Sequence, residues 1–164
     1  MSDELDRTDR ALLLLLQRDA HASFKQIADM VGLAASTVYE RVRRLRRLGV
    51  LRGIHADVDP RAMGVEIQAM LLVELSIARP ETYSLFREHL RALPEVLAWY
   101  EVAGRLDLLV HVGVRDTSHL QHLVLEEFTA RAEVRRVEST LIFAWHRAPI
   151  LPDLLDAEPP VRKG

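Results

Sequence analysis

Between Ala35 and His55 the chain sets six arginines, Arg41, Arg43, Arg44, Arg46, Arg47 and Arg52, against a single acid, Glu40. Guanidinium groups at that density suit a polyanion. They neutralise phosphates, and their forked donors match the edge of guanine. Ser36, Tyr39, Glu40, Arg43 and Arg47 lie three and four residues apart, so on a helix they share roughly one face, flanked by Arg41, Arg44 and Arg46. The formal net charge of the whole chain is −2, so the basic charge is a local patch and not that of a nonspecific polycation. The candidate DNA contacts are Ser36, Thr37, Tyr39, Glu40, Arg41, Arg43, Arg44, Arg46, Arg47 and Arg52. On charge alone, a solvated amphipathic helix with an ordinary charged face accounts for them equally well.

A second constellation is Gly104-Arg105-Leu106-Asp107, placed between two predicted strands. A tight hairpin needs glycine where φ is positive, so a plain turn explains the motif. The residue chemistry also allows a ligand loop, with backbone groups and one carboxylate beside an apolar cleft. His119 and His122 stand three apart, with His111 on a nearby strand. Metal sites want at least three converging ligands, and the chain has no cysteine, so these histidines read as surface or capping groups and no metal is expected. There is no P-loop, no dinucleotide-binding glycine pattern and no nucleophile with an obvious base. No enzyme activity, catalytic residue or cofactor is expected.

The elements that must hold the arginines are legible. Ser23 and Gln26 form a capping box, which starts a helix at Phe24. Ile27, Ala28 and Val31 give it an apolar face, and Gly32 suits a left-handed helix end. Val38, Val42 and Leu45 then form the buried stripe of a second, Arg-loaded helix that Gly49 ends. A short helix, a Gly-Leu turn and a basic helix are the layout of a helix-turn-helix reader. Upstream, Asp6 and Asp9 suit the start of a leucine-rich helix in which Leu12, Leu13 and Leu16 pack on the reader. That run is too short for a membrane span. Downstream, VLRGIHADVDP alternates enough to predict one or two short strands, a wing, before a link at Asp59-Pro60.

Beyond Gly64 the rhythm changes. Strands are predicted over 67–77, 96–102, 106–114 and 134–145, with helices over 81–93 and from a Thr117 cap to about Arg131. Strand, helix, strand, strand, helix, strand is the split βαβ, ferredoxin-like order. Two helices on one side of such a sheet leave the other side open, and a second copy is the simplest cover. Trp99, Tyr100 and Trp145 could stack on a ligand, but aromatics on an open sheet more often fill such an interface, and they are expected there. The tail from Pro149 reads as a strap that loosens toward its end. The N-terminus is acidic and carries no secretory pattern, so a cytoplasmic protein is expected.

On these residues the chain resembles the Lrp/AsnC, or feast/famine, family of transcription regulators. The resemblance rests on LDRTDRALLLLLQRDA, on FKQIADMVGLAASTVYERVRRLRRLGVLRGIHADVDPRAMG, on LPEVLAWYEVAGRLDLLVHVGV and on VESTLIFAWH, and covers roughly residues 4–148. It implies an α+β protein: a winged helix-turn-helix domain with a linker strand over 1–60, a ferredoxin-like ligand-sensing and dimerisation domain over 61–148, and a tail over 149–164. It implies double-stranded DNA and further copies of the chain as partners, with dimers building tetramers or octamers. It also implies an amino acid or related effector held between dimers by Val102, Ala103, Gly104, Leu106 and Asp107, with Asp107 as the ammonium partner and Thr140 as a further contact. Three positions depart from the family pattern. Ala34 stands where a serine commonly caps the reader helix, Ala103 precedes Gly104 in place of threonine, and Leu108 replaces a frequent aromatic. The altered loop keeps open a different reading, an architectural DNA-binding protein with no effector. An enzyme on the ferredoxin-like half would rest on fold analogy alone.

Overall fold

The computed structural model describes residues 5–76, 79–146 and 148–155. The chain divides into two compact units: one reaches Ala56 and takes back the segment from His146, the other runs from Asp57 to Trp145.

In the first unit three helices, α1 (Arg7–Arg18), α2 (Phe24–Val31) and α3 (Ala35–Arg47), enclose one core of Leu12, Leu16, Ile27, Ala28, Val38 and Val42. Leu15, and not Leu13, is the third leucine packed on that core, because it lies on the same face as Leu12. Ser23 and Gln26 close the expected capping box, and Gly32 ends α2 at φ 68°. That conformation penalises any residue with a Cβ. Asp6 caps α1 by accepting from the Asp9 amide at 2.7 Å. Ala34 starts α3 without a side-chain cap, and the Ser36 hydroxyl makes no hydrogen bond among the described residues. The missing cap costs α3 about 1 kcal/mol.

The predicted wing is not formed: residues 50–58 hold no strand. An isolated strand pair is marginal, and among the described residues no other strand pairs with this segment. Val50, Ile54 and Val58 stay exposed along it. The C-terminal segment instead returns to α1. The Leu151 amide donates to Gln17 Oε1 at 2.7 Å, and Asp153 pairs with Arg10 at 3.4 Å. Gln17 and Arg10 are two turns apart on one helix face, so the segment runs lengthwise along it. The end of the expected tail, 156–164, lies outside the described residues.

The second unit opens with a 3-10 turn, Pro60–Met63, and continues as β1 (Ile67–Leu75), α4 (Pro80–Ala92), β2 (Val96–Glu101), β3 (Leu108–Val114), α5 (Thr117–Leu123) and β4 (Val134–Ile142). The sheet is antiparallel in the order β2-β3-β1-β4, the ferredoxin-like arrangement. Its buried side carries Ala69, Leu71, Val73 and Leu75 of β1 and Leu108, Val110, Val112 and Val114 of β3. Phe86 and Leu90 of α4 and Leu120 and Leu123 of α5 close over them, with Phe128 edge-on to Phe86.

Several boundaries differ from the sequence reading. Ile77 lies outside the described residues, and β4 ends at Ile142. Asp116, and not Thr117, caps α5 by accepting from the His119 amide, because its carboxylate sits one residue earlier with extended backbone. The helix does not stay regular to Arg131: it passes into a π-helical turn over Val124–Thr129. Trp99 packs on the helix side of the sheet beneath Arg91, whose guanidinium lies 5.7 Å from the ring. A register shift between Val96 and Ala98 sets the side chains beyond it, so Tyr100 alone of the Trp-Tyr pair faces away from the helices, opposite Leu109.

Candidate nucleic-acid interface and sensing loop

Buried Val38, Val42 and Leu45 turn one stripe of α3 to the core and the rest outward. Ser36, Thr37, Glu40, Arg43, Arg46 and Arg47 are exposed. Tyr39 is half exposed, and its ring is held edge-on by Phe24 of α2 at 5.7 Å. An aromatic fixed on one side loses little freedom when its other side is used. Thr37, Glu40, Arg41, Arg43, Arg44 and Arg47 line an open groove of about 300 Å³ on this surface. Arg43 and Glu40 sit 3.8 Å apart with both side chains well exposed, a loose pair that water screens and a phosphate displaces at little cost. Arg52 is exposed beyond the end of α3.

Two of the predicted DNA contacts are engaged elsewhere. Arg41 donates through Nη1 to Asp6 at 2.6 Å and to Asp9 at 2.9 Å, and Arg44 donates to the other oxygen of Asp9 at 3.0 Å. Asp9 is 1 % exposed. Its place in the sequence predicts a carboxylate that caps α1 or opposes its dipole; in the fold it is the buried counterion of α3. The Asp9 amide first, then Arg41, holds the Asp6 carboxyl below its usual range, while Asp6 and Asp9 together push the Arg41 guanidinium up. Sequence spacing placed these two arginines beside the reading face, but their acids are 32 to 35 residues away and only packing brings them together.

In the sheet unit, residues 102–107 join β2 to β3. Ala103, Gly104 and Arg105 are exposed, and Gly104 takes φ 138°, as the turn reading requires. Val102 and Leu106 are half-buried. Asp107 points inward. Its Oδ2 accepts from the Leu75 amide at 2.8 Å, its Oδ1 from the Tyr83 hydroxyl, its own amide donates to the Val73 carbonyl, and its carbonyl accepts from Val102. The hydrogen bond to Asp107, then burial, pushes the Tyr83 phenol up to about 12. One helical turn on from Tyr83, Arg87 makes a two-pronged pair with Glu101, which holds the Glu101 carboxyl below its usual range. So α4 pins both shoulders of the loop, Glu101 at the end of β2 and Asp107 at the start of β3. Tyr83 and Arg87 carried no recognisable signal in the sequence beyond their four-residue spacing.

Thr140 lies on β4, at the sheet edge opposite β2, paired with Met70. Within one chain the fold does not bring it to the 102–107 loop. The three histidines take separate partners: His111 Nε2 meets Gln68 Oε1 at 2.8 Å, His119 meets Glu95 at 3.0 Å and His122 lies 3.5 Å from Glu126. Trp145 packs edge-on to His111 on the side of the sheet away from the helices. Among the described residues no helix is long and apolar enough to cross a membrane.

Residues 5–46 match the model of the AsnC-type helix-turn-helix domain, and residues 68–146 that of the Lrp/AsnC ligand binding domain. The HTH-type transcriptional regulator AldR of Mycolicibacterium smegmatis is 43 % identical over 141 residues, spanning 85 % of this chain and 82 % of that protein. The leucine response regulatory protein LrpA of Mycobacterium tuberculosis has a crystal structure that superposes with a TM-score of 0.78 at 30 % identity, covering 90 % of this chain and 99 % of that one. A transcriptional regulator of Neisseria meningitidis, solved as a complex with L-Met, shares the fold with a TM-score of 0.81 at 24 % identity, covering 91 % and 97 % of the two chains.

Proposed function

This chain belongs to the Lrp/AsnC family of helix-turn-helix, DNA-binding transcription regulators, and we propose that α3 reads duplex DNA while the 102–107 loop answers an amino acid or a related small molecule. The reading face is Ser36, Thr37, Tyr39, Glu40, Arg43, Arg46 and Arg47, with Arg52 on the flanking backbone. Arg41 and Arg44 stand at the edge of that face, tied to α1 through Asp6 and Asp9. The observation that carries this assignment is the exposure of Arg43 and Arg47 along the groove on α3, with Arg46 exposed beside it, away from a fully buried apolar stripe. A helix that buries one stripe and presents cations on the other fits a major groove.

The sensing half works through shape. Val102, Ala103, Gly104 and Leu106 offer backbone groups and an apolar wall, and Asp107 holds the loop in place while keeping lone pairs for a ligand ammonium. Thr140 enters such a site only where a second copy brings its own β4 edge to the loop. A second copy is also the cover for the open side of the sheet, which carries Met70, Leu72, Leu109, Tyr100 and Ile142. We place the unit of function at a homodimer or a larger ring of dimers. Light scattering of the full chain tests this, and a monomer at micromolar concentration contradicts it.

One observation favours the effector-independent, architectural reading: both oxygens of Asp107 already have donors from their own chain. A thermal-shift screen of the twenty L-amino acids separates the two readings, since a ligand that binds only the folded state raises the melting temperature. The sensing reading expects at least one hit, lost in Gly104→Val. A flat screen leaves the architectural reading.

A further inference from the structure

Among the described residues, Asp9 is the one charged side chain in the buried class. It sits between two guanidinium groups of α3, Arg41 on Oδ1 and Arg44 on Oδ2. Arg41 and Arg44 are three residues apart and share the helix face turned to α1, while Arg43 and Arg47, four apart, are centred about a third of a turn further round, with Arg47 next to Arg44 along the groove. A carboxylate taken out of water is held in place by the donors that satisfy it, and removing either side strands a buried charge. The clasp therefore fixes more than the distance between α1 and α3. Two bonds from successive turns of one helix to the two oxygens of one carboxylate also fix the rotation of that helix about its own axis.

We propose that Asp9 is a positioning residue for DNA reading: by clasping Arg41 and Arg44 it sets the roll of α3, so that Arg43 and Arg47 meet the duplex while Arg41 and Arg44 stay with α1. The arginines of one helix are divided into a structural pair and a reading set. Asp6 extends the clasp, since its Oδ2 accepts from the same Arg41 nitrogen. Direct reading demands that a forked donor meet a base edge in register, whereas phosphate neutralisation tolerates any nearby cation. Losing the clasp should thus damage discrimination and spare nonspecific affinity. This inference rests on α3 being the reader.

The test uses the full chain, a duplex enriched by it from a random-sequence pool, and a shuffled duplex of the same length and composition. Asp9→Asn removes one negative charge and frees two cations. Its ratio of affinities for enriched over shuffled DNA should fall at least about tenfold, the scale of one missed base contact. Affinity for the shuffled duplex should hold or rise. A merely structural loss would lower both affinities together, and that result overturns the proposal. Arg41→Gln, which leaves Arg44 on Asp9, provides a second readout should Asp9→Asn fold poorly. The slope of log affinity against log salt should match that of wild type in Arg41→Gln and become shallower by about 0.9 in Arg47→Ala, the value for one phosphate contact. A slope lowered equally by Arg41→Gln overturns the division of the arginines. A slope unmoved by Arg47→Ala overturns the reader assignment itself, and this inference with it.

Discussion

The outer face of α3 and the 102–107 loop use charge in opposite directions. On α3 the arginines proposed as readers are exposed, and the acid beside them on the helix, Glu40, holds Arg43 loosely. On the loop, the acid turns inward and is held by Leu75 and Tyr83, leaving Ala103, Gly104 and Arg105 at the surface. A reader must meet a ligand with a dense fixed charge, so its cations stay free. A sensing loop must hold one shape until a small molecule arrives, so its carboxylate is used for preorganisation. The same residue chemistry serves contact in one unit and scaffolding in the other.

The sharpest break between the two regions is a core substitution. The sheet unit and the helical unit have separate cores, built around Phe86 with Phe128 and around Leu12 with Ile27. Phe86→Ala should remove about 3–5 kcal/mol from the sheet unit. Calorimetry should then show that unit melting early while a helical transition persists, and a single undivided transition shifted as a whole would join what the comparison separates. Next in size is Arg43→Ala. If this side chain forks onto a guanine, affinity for the enriched duplex falls by about 1–3 kcal/mol and preference at one base pair relaxes. An equal fall on shuffled DNA would reduce Arg43 to a phosphate contact.

Tyr83→Phe sharpens the loop side. The lost hydrogen bond to Asp107 should cost about 1 kcal/mol near neutral pH. The pH dependence follows from the raised phenol, whose value rises from 10 unfolded to about 12 in the fold. A group with a raised folded value gives stability that is whole below its unfolded value and is lost as pH climbs through the folded one. Denaturation midpoints of wild type should therefore fall between pH 10 and 12, and the Tyr83→Phe midpoints should fall less over that window. Parallel curves would detach Tyr83 from the stability of the loop.

The smallest effect concerns the open side of the sheet. Burial pushes the His111 imidazole below its usual value. Its stabilising contribution as a neutral ring is therefore present above the unfolded value, about 6.5, and is lost as pH falls through the lower folded one. Melting temperatures between pH 7 and 5 should drop more in wild type than in His111→Gln. Identical drops would mean that the ring titrates as freely as it does in the unfolded chain.

What the sequence made legible divides along the same line. Local signals carried the reader: the Ser23–Gln26 box, Gly32 and the Val38, Val42, Leu45 stripe lie within a few residues of what they organise. The order of the sheet unit was legible too, because β1 and β3 alternate and Pro94 closes α4. The larger misses are tertiary. Asp9 as counterion of Arg41 and Arg44, Asp107 turned to Tyr83, Trp99 on the helix side and the return of Leu151 and Asp153 to α1 each join residues far apart in the chain. The wing failed for the converse reason. Alternation in 50–58 describes a strand, but a strand exists only where another backbone pairs with it.

In the scheme proposed above, the exposed arginines of α3 bind DNA and the 102–107 loop governs that binding. Fluorescence anisotropy of the labelled enriched duplex tests both halves at once, titrated with full-length protein in the presence and absence of each amino acid found by thermal shift. The affinity should fall steeply with salt and be shifted by at least one ligand in wild type, with the ligand shift absent in Gly104→Val and the salt dependence retained. An affinity indifferent to salt, or a ligand shift that survives intact in Gly104→Val, would contradict that scheme.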